Sequence, residues 1–438
     1  MSMRIGIRAE DKSPWERRVP LVPEDIRELA RAGVAVVVES SPQRAISDAE
    51  FQAEGIPVVD SLEDCPVVVG IKEIPPKYFE PEKVYLFFSH VIKGQSYNMP
   101  MLRRMMEQKA TLIDYERIVD AHNKRLIFFG RHAGLAGMVN SLWALGRRMD
   151  WEGIDSPLAR LRQARTYPDL DAAREDLYIA AEAFKRGGVP EAIRPLVCGF
   201  AGYGNVSQGA QEIFDILPYE EIAPDQLANL PAGVGDRLFK VVFREEDCVA
   251  PLAPDAVFDL ADYFVRGSQA YRGVFAPHAE LLTLLVNCIY WDKRYPRLLS
   301  IEDCQHMWAG GRQPKLRVIG DISCDPDGSI QCTVKPTDPG NPMFVYEPES
   351  GRVMDGVAGH GPVVMAVEIL PAEIPRESSQ HFSEVLKNYM QALAFADFQV
   401  PLEALQLPDE LKRAIILHRG ELTPDYRYLK VHVEHQAG

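Results

Sequence analysis

The chain has 438 residues, more than one ordinary hydrophobic core accommodates, and this length predicts two domains. Hydrophobic residues make up 46% and charged residues 25%, the balance of a globular protein, while a net charge of −15 argues against nucleic acid and anionic membrane as partners. An acidic substrate is not excluded, because a local cluster of Arg and Lys outweighs a global field.

The N-terminus, "MSMRIGIRAE", enters an apolar alternation at once, without a basic segment followed by an apolar one. The longest apolar stretch, "LLTLLVNCIYW", is far short of a membrane span. The 7 cysteines include no C-x-x-C pair, and most lie in apolar runs. They are expected to be reduced core residues of a cytoplasmic protein, and no Cys/His spacing suggests a metal site.

"RIGIRAE" is expected to be the first strand, and "VPEDIRELARAG" a helix opened by Pro23 and closed by Gly33. "VAVVVES", a helix capped near Ser47 or Asp48, "VVVGIKE", "VYLFFSH", the helix "NMPMLRRMMEQKA" and "TLIDYE" follow. Continuous Val/Ile/Leu runs alternating with helices imply a parallel sheet covered on both faces. Ligands gather at the carboxyl ends of such strands, which here carry Arg8 and Glu10, Lys72 and Glu73, His90 and Lys93, and Asp114 and Glu116. A lone charged strand end is commonly just solvated. Four ends that share ionisable groups, with a histidine among them, predict a site.

"LAGMVNSLWALGRRM" has helical period and is expected to bridge two α/β segments. The polar stretch that follows, "DWEGIDSPLARLRQARTYPDLDAAREDLYIAAEAFKRGG", reads as a partly helical surface excursion. "PLVCGFAGYGNVSQGAQEIFDILP" then runs a strand through Phe200 into Gly202, Gly204 and Gly209, with Asn205 and Val206 opening an amphipathic helix. Glycines there permit a tight turn and let a pyrophosphate approach the helix N-terminus. "YEEIAPDQL" places Glu220, Glu221 and Asp225 where a ribose-binding acid is expected, a charge pattern that favours NAD(H). "KVVF", "LTLLVNCIYW", "LRVIGDIS" and "PVVMAVEIL" are expected to complete a doubly wound sheet.

The stretches "RAEDKSPWERRVPLVP", "GIKEIP", "YLFFSHVIKGQ", "LIDYERIVD", "FFGRHAGLAGM", "GYGNVSQGAQEIF", "NCIYW", "GDISCDPDGSI" and "LPAEIPRESSQHFS" together resemble one family. It is the lysine–2-oxoglutarate reductase half of aminoadipic semialdehyde synthase. The lysine-forming saccharopine dehydrogenases and the alanine dehydrogenase/transhydrogenase group are more distantly similar. The resemblance implies reductive condensation of lysine with 2-oxoglutarate to saccharopine, the first step of lysine degradation. It also implies NADP(H) as cofactor, with NAD(H) open, and small molecules as partners. The fused saccharopine dehydrogenase half is expected to be absent, so that a separate enzyme takes the product.

Carried over residue by residue, the resemblance implies Lys72 and His90 as the acid–base pair. It puts Glu16, Arg18, Glu73, Lys93, Glu116 and Arg125 on the substrate side, and Asn287 and Asp321 beside the dinucleotide. The chemistry agrees: imine formation needs a deprotonated amine and a protonated leaving oxygen. A histidine and a lysine with a lowered pKa supply both, the latter expected to be depressed by Arg18 and Lys93. Bidentate arginines suit the 2-oxoglutarate carboxylates. For Asp321, capping of the following turn is an open alternative, as is simple pairing for Glu116 and Arg125. Arg131 and His132 stand where the family has bulky uncharged residues, and would alter acceptor preference if they faced a cleft.

The expected architecture is α/β, with two Rossmann-like doubly wound domains and a cleft between them. Residues 1–135 with 373–438 would form the substrate-side domain, and residues 136–372 the dinucleotide domain, its nicotinamide toward Lys72 and His90. Three alternatives fit parts of the pattern: NAD-dependent lysine release from saccharopine, an alanine-dehydrogenase-like deamination, and a catalytically silent nucleotide-binding regulator. The intact Lys72, His90 and glycine turn oppose the last.

Overall fold

The structure, a computed structural model, describes residues 4–231, 234–235 and 237–434. It divides into one compact unit of residues 1–129 with 375–438 and another of residues 130–374. The divisions fall where helices begin, at Gly130 and Pro375.

The first unit holds an eight-stranded sheet. Its strands are β1 (Ile5–Ile7), β2 (Val36–Glu39), β3 (Val58–Val59), β4 (Val67–Val69), β5 (Val84–Phe87), β6 (Thr111–Asp114), β17 (Ile415–His418) and β18 (Glu421–Leu422). The spatial order is β18-β17-β6-β5-β4-β1-β2-β3. Pairs among β1–β6 are parallel, as expected; β17 adds an antiparallel edge that the chain-order reading did not anticipate. Both faces of the sheet are buried, which is why the strands read as continuous apolar runs: Val67 and Val69 enter one apolar cluster and Val68 another. Helix α1 (Pro23–Arg31) opens on Pro23, and α2 (Asp48–Ala53) carries a capping box between Ser47 and Glu50. The helix Pro375–Phe395 is stitched to this unit by Ser379 and Ser383, whose hydroxyls accept from Val19 N and Val22 N at 2.9 Å each.

The second unit is built on β7 (Val197–Ala201), β8 (Tyr219–Glu221), β9 (Leu238–Phe243), β12 (Leu284–Asn287), β13 (Val318–Asp321), β14 (Met343–Glu347), β15 (Arg352–Asp355) and β16 (Val363–Met365). A separate two-stranded hairpin joins β10 (Val249–Pro251) to β11 (Tyr271–Gly273). The large sheet runs β15-β14-β16-β13-β12-β7-β9-β8, parallel except for the β14–β15 hairpin and its pairing with β16. The long helix Gly130–Trp151 belongs to this unit and packs backbone to backbone on the helix Asn205–Phe214. A Cβ at Gly134 would stand 1.9 Å from the Val206 carbonyl oxygen, and one at Gly209 would stand 2.1 Å from that of Arg131.

The expected surface excursion is corrected. It contains a helix, Leu170–Gly187, that buries Leu170, Ala173, Leu177, Ala180, Ala181 and Phe184. That spacing is helical, but the charged residues of the outer face mask it in the composition. Among the described residues no helix is long and apolar enough to cross a membrane, and no group of three or more Cys, His, Asp or Glu side chains is placed to hold a metal ion.

Candidate active site

In the first unit the ends of β1, β4, β5 and β6 converge. Burial and the nearby Glu16 push the Glu10 carboxyl up to about 7, although it accepts from Ile71 N at 2.6 Å and Lys72 N at 3.0 Å. Those two bonds lock the turn that presents Lys72. Burial lowers the Lys72 pKa, and the Arg18 guanidinium lowers it further against Glu16, Glu73 and Glu10. Lys93, expected to be the second depressing cation, is exposed on the turn after His90, and desolvation takes the place assigned to it.

Arg18 is buried and forks onto Glu16, with Nε at 2.7 Å from Oε1 and Nη2 at 2.6 Å from Oε2. Burial raises the Glu16 carboxyl, yet the charge and hydrogen bonds of Arg18 outweigh it and hold Glu16 below the usual carboxylate range. The guanidinium also lies over the Phe129 ring at 4.2 Å. The fork expected to grip a substrate carboxylate is therefore engaged within the chain.

His90 ends the β5 turn with φ of 50°, a left-handed conformation fixed by Asn98 Nδ2, which donates to the His90 carbonyl at 3.1 Å. Its Nδ1 lies 2.8 Å from Glu73 Oε1. Burial raises the Glu73 carboxyl, but the hydrogen bond and charge of His90 overcome this and bring it down to about 2, with Lys12 3.8 Å away. At the β6 end, burial pushes Asp114 up to about 6 while it accepts from Ser89 and, at 2.7 Å, from Glu116 N. Arg125 Nη2 meets Glu116 Oε1 at 2.9 Å across the Val119–Arg125 bridge, the simple pairing left open above. The sequence placed Glu10 on the rim without a role; its position under the Lys72 turn is a contact between residues 62 apart.

In the second unit Gly202 has φ of +94° and donates to the Phe243 carbonyl at 3.0 Å. Gly204 caps the helix that Asn205 and Val206 open, and a Cβ on Gly204 would meet nothing within 4 Å. Open space before a ten-residue helix, with a left-handed glycine behind it, suits a dinucleotide pyrophosphate. Val206 and Gly209 serve packing against the Gly130–Trp151 helix.

The expected ribose position is corrected. The strand beside β7 is β9, and β8 lies one place further out. Asp225 sits on the 3₁₀ segment Pro224–Asn229 beyond β8, exposed at the sheet edge. The residue after β9 is Arg244, whose guanidinium lies over the ring of Tyr203 at 4.8 Å, between the two turn glycines.

Asn287 and Asp321 are neighbours in register and fully buried. Asn287 Nδ2 donates to Asp321 Oδ1 at 2.8 Å and to Ser329 Oγ at 2.8 Å. Asp321 also accepts from Thr333 Oγ1 at 2.6 Å, Ser323 Oγ at 2.7 Å and Cys324 N at 3.3 Å, which is the turn-capping arrangement. Its pKa is raised by burial. Arg131 pairs with Glu212 at 2.6 Å, and His132 is buried.

Residues 6–136 match the family model described as alanine dehydrogenase/PNT, N-terminal domain. The alpha-aminoadipic semialdehyde synthase of Arabidopsis thaliana is 38% identical over 446 residues, 97% of this chain and 41% of that protein. The mitochondrial alpha-aminoadipic semialdehyde synthase of Bos taurus is 33% identical over 441 residues, 97% and 47% respectively. The chain thus spans less than half the length of these relatives. A saccharopine dehydrogenase (NAD(+), L-lysine-forming) of Neurospora crassa is 28% identical over 424 residues, covering 93% of this chain and 95% of that one. Among solved structures, an L-alanine dehydrogenase superposes with a TM-score of 0.64 at 18% identity, over 98% of this chain and 100% of that one, a likeness of fold. Over 97% of its length the chain is similar to the alpha-aminoadipic semialdehyde synthases, and its residues 6–136 match the alanine dehydrogenase/PNT N-terminal domain.

Proposed function

We propose that this chain is an oxidoreductase acting on a CH–NH bond, which condenses the ε-amine of L-lysine with the ketone of 2-oxoglutarate and reduces the imine to saccharopine. The observation that carries this reading is the pair of strand ends where a half-buried Lys72, its pKa lowered by desolvation and Arg18, adjoins the Glu73 that holds His90.

The Glu73 carboxylate fixes Nδ1 of His90 and leaves Nε2 to take a proton from the attacking lysine nitrogen. As the C–N bond forms, the imidazolium returns that proton to the former ketone oxygen, giving a carbinolamine. The Lys72 ammonium, acidified by burial and by Arg18, donates a proton to the carbinolamine oxygen, the C–O bond breaks and water departs. The nicotinamide cofactor, when bound, supplies the hydride that saturates the C=N bond. With Arg18 buried against Glu16, the exposed Lys93 is the cation proposed to meet the oxo-acid carboxylates, with Arg125, exposed but paired with Glu116, second.

NADP(H) is the proposed form of the cofactor. The support is Arg244 on the strand beside β7, stacked on Tyr203 of the glycine turn, where a guanidinium suits a 2′-phosphate. The test is oxidation of NADPH or NADH by the full chain with lysine plus 2-oxoglutarate, set against pyruvate plus ammonia, with saccharopine identified by mass spectrometry. Turnover of pyruvate and ammonia alone would overturn the proposal.

A further inference from the structure

Lys93, the cation proposed to meet the oxo-acid, sits on a turn closed by Gly94 N, which donates to the Val91 carbonyl at 2.8 Å. Residues near the C-terminal end of the same unit grip that turn. Tyr428 Oη donates to the Ile92 carbonyl at 2.6 Å, a bond between residues 336 apart in sequence. The His432 ring covers Gly94, whose φ is 65°; a Cβ there would stand 2.7 Å from three of the ring atoms. Val91 is fully buried and enters the apolar cluster that holds Leu429 and Val433. Lys93 carries its exposed side chain between these anchored neighbours.

The grip is itself seated. The helix Leu429–Glu434 has 6 residues, too few to persist alone. Leu429 and Val433 fix it against residues of the helix Met99–Glu107, from which Arg103 Nη2 donates to the Val433 carbonyl. Just upstream, Tyr426 Oη donates to the Arg413 carbonyl at 2.8 Å and accepts from Arg117 Nε at 2.9 Å. Tyr428 is half-exposed, and the hydroxyl at the far end of its ring is what engages the turn, on the carbonyl next to Lys93.

A lysine is a point charge on a flexible four-carbon stem, so the placement of its backbone decides where the charge can go. We infer that Tyr428 is a positioning residue: through the Ile92 carbonyl it sets the turn from which Lys93 reaches the carboxylates of the oxo-acid. The inference rests on the reaction and on the role of Lys93 proposed above, and it concerns the oxo-acid side alone.

The test is Tyr428→Phe in the full chain, which removes one hydroxyl from a half-exposed side chain. Steady-state kinetics with lysine, 2-oxoglutarate and NADPH or NADH are measured beside hydrogen exchange of a peptide covering residues 91–95. KM for 2-oxoglutarate should rise about three- to tenfold, the scale of one hydrogen bond, with kcat and KM for lysine within about twofold. A contact made equally in the ground and transition states moves KM alone. Exchange in residues 91–95 should quicken by about the same factor. In a Lys93→Met background, where the charge is gone, adding Tyr428→Phe should change KM for 2-oxoglutarate by less than about twofold. An unchanged KM for 2-oxoglutarate, an equal rise for both substrates, or a full further effect in Lys93→Met overturns the inference and leaves the reaction standing. A wild type without turnover overturns the reaction instead. Exchange then decides the grip by itself: unchanged rates in Tyr428→Phe overturn it, and quicker rates retain it.

Discussion

Replacing Glu10 by Gln should change how stability depends on pH. The Glu10 carboxyl has an ordinary value of 4.5 and is pushed up to about 7 by burial and by Glu16. Below pH 4.5 both folded and unfolded chains hold the proton. Between pH 4.5 and about 7 the unfolded chain releases it while the folded chain keeps it, so stability falls as pH rises, and the loss is complete above pH 7. A rise of that size corresponds to ~3 kcal/mol as a ceiling. Glutamine does not titrate, and whatever its amide loses against the Ile71 and Lys72 N–H groups is lost at every pH. The stability difference, Glu10→Gln minus wild type, should therefore grow by about 1–3 kcal/mol from pH 5 to pH 8. The assay is urea unfolding at pH 5, 6, 7 and 8, read by hydrogen exchange on peptides of residues 4–129. Burial also pushes Glu373 in the second unit up to about 7, and the difference cancels it because both proteins carry it. Parallel stability curves across that range would refute the reasoning and mean that Glu10 is ionised in the fold throughout.

Lys72→Met should lower turnover by about 10²–10⁴-fold while nucleotide titration stays within a factor of two of wild type, since Lys72 and the glycine turn lie in different units. Gly204→Val should fold normally, because a Cβ there has no atom within 4 Å, yet weaken nucleotide binding by filling the open space; unchanged titration would move the cofactor elsewhere. Gly209→Ala should cost about 1–3 kcal/mol in unfolding experiments, because the new methyl stands 2.1 Å from the Arg131 carbonyl oxygen. Arg244→Ser should raise KM for NADPH at least tenfold and leave KM for NADH nearly unchanged; equal effects on both would remove the 2′-phosphate role.

Local pattern carried the strand–helix alternation, the glycine turn and the rim of ionisable groups, because each is written in a few consecutive residues. Spatial order was not legible. The sequence presents "YEEIAPDQL" next after the glycine helix, yet β9 lies between β7 and β8, so the residue beside the turn is Arg244 rather than Asp225. Whether a cation serves a ligand or the chain itself was equally hidden: in "WERR", Glu16 and Arg18 are two residues apart and satisfy each other. Asn287 and Asp321 stand on separate strands, and only the parallel register that pairs them builds their buried network.

The carboxyl groups of the first unit show why such a site resists reading by residue type. Glu10, Glu73 and Asp114 all follow strand ends and are all largely buried, yet they are held at about 7, about 2 and about 6. Burial pushes each upward. The difference lies in what answers it: His90 faces Glu73 with a ring nitrogen, whereas Glu10 meets two backbone amides and the like charge of Glu16, which adds to the rise. A strand end thus contributes an ionised anchor or a protonatable group according to its partner across the sheet. That partner is set by which strands are neighbours, so the chemistry of Lys72 and His90 depends on the β1-β4-β5 adjacency as much as on the two residues themselves.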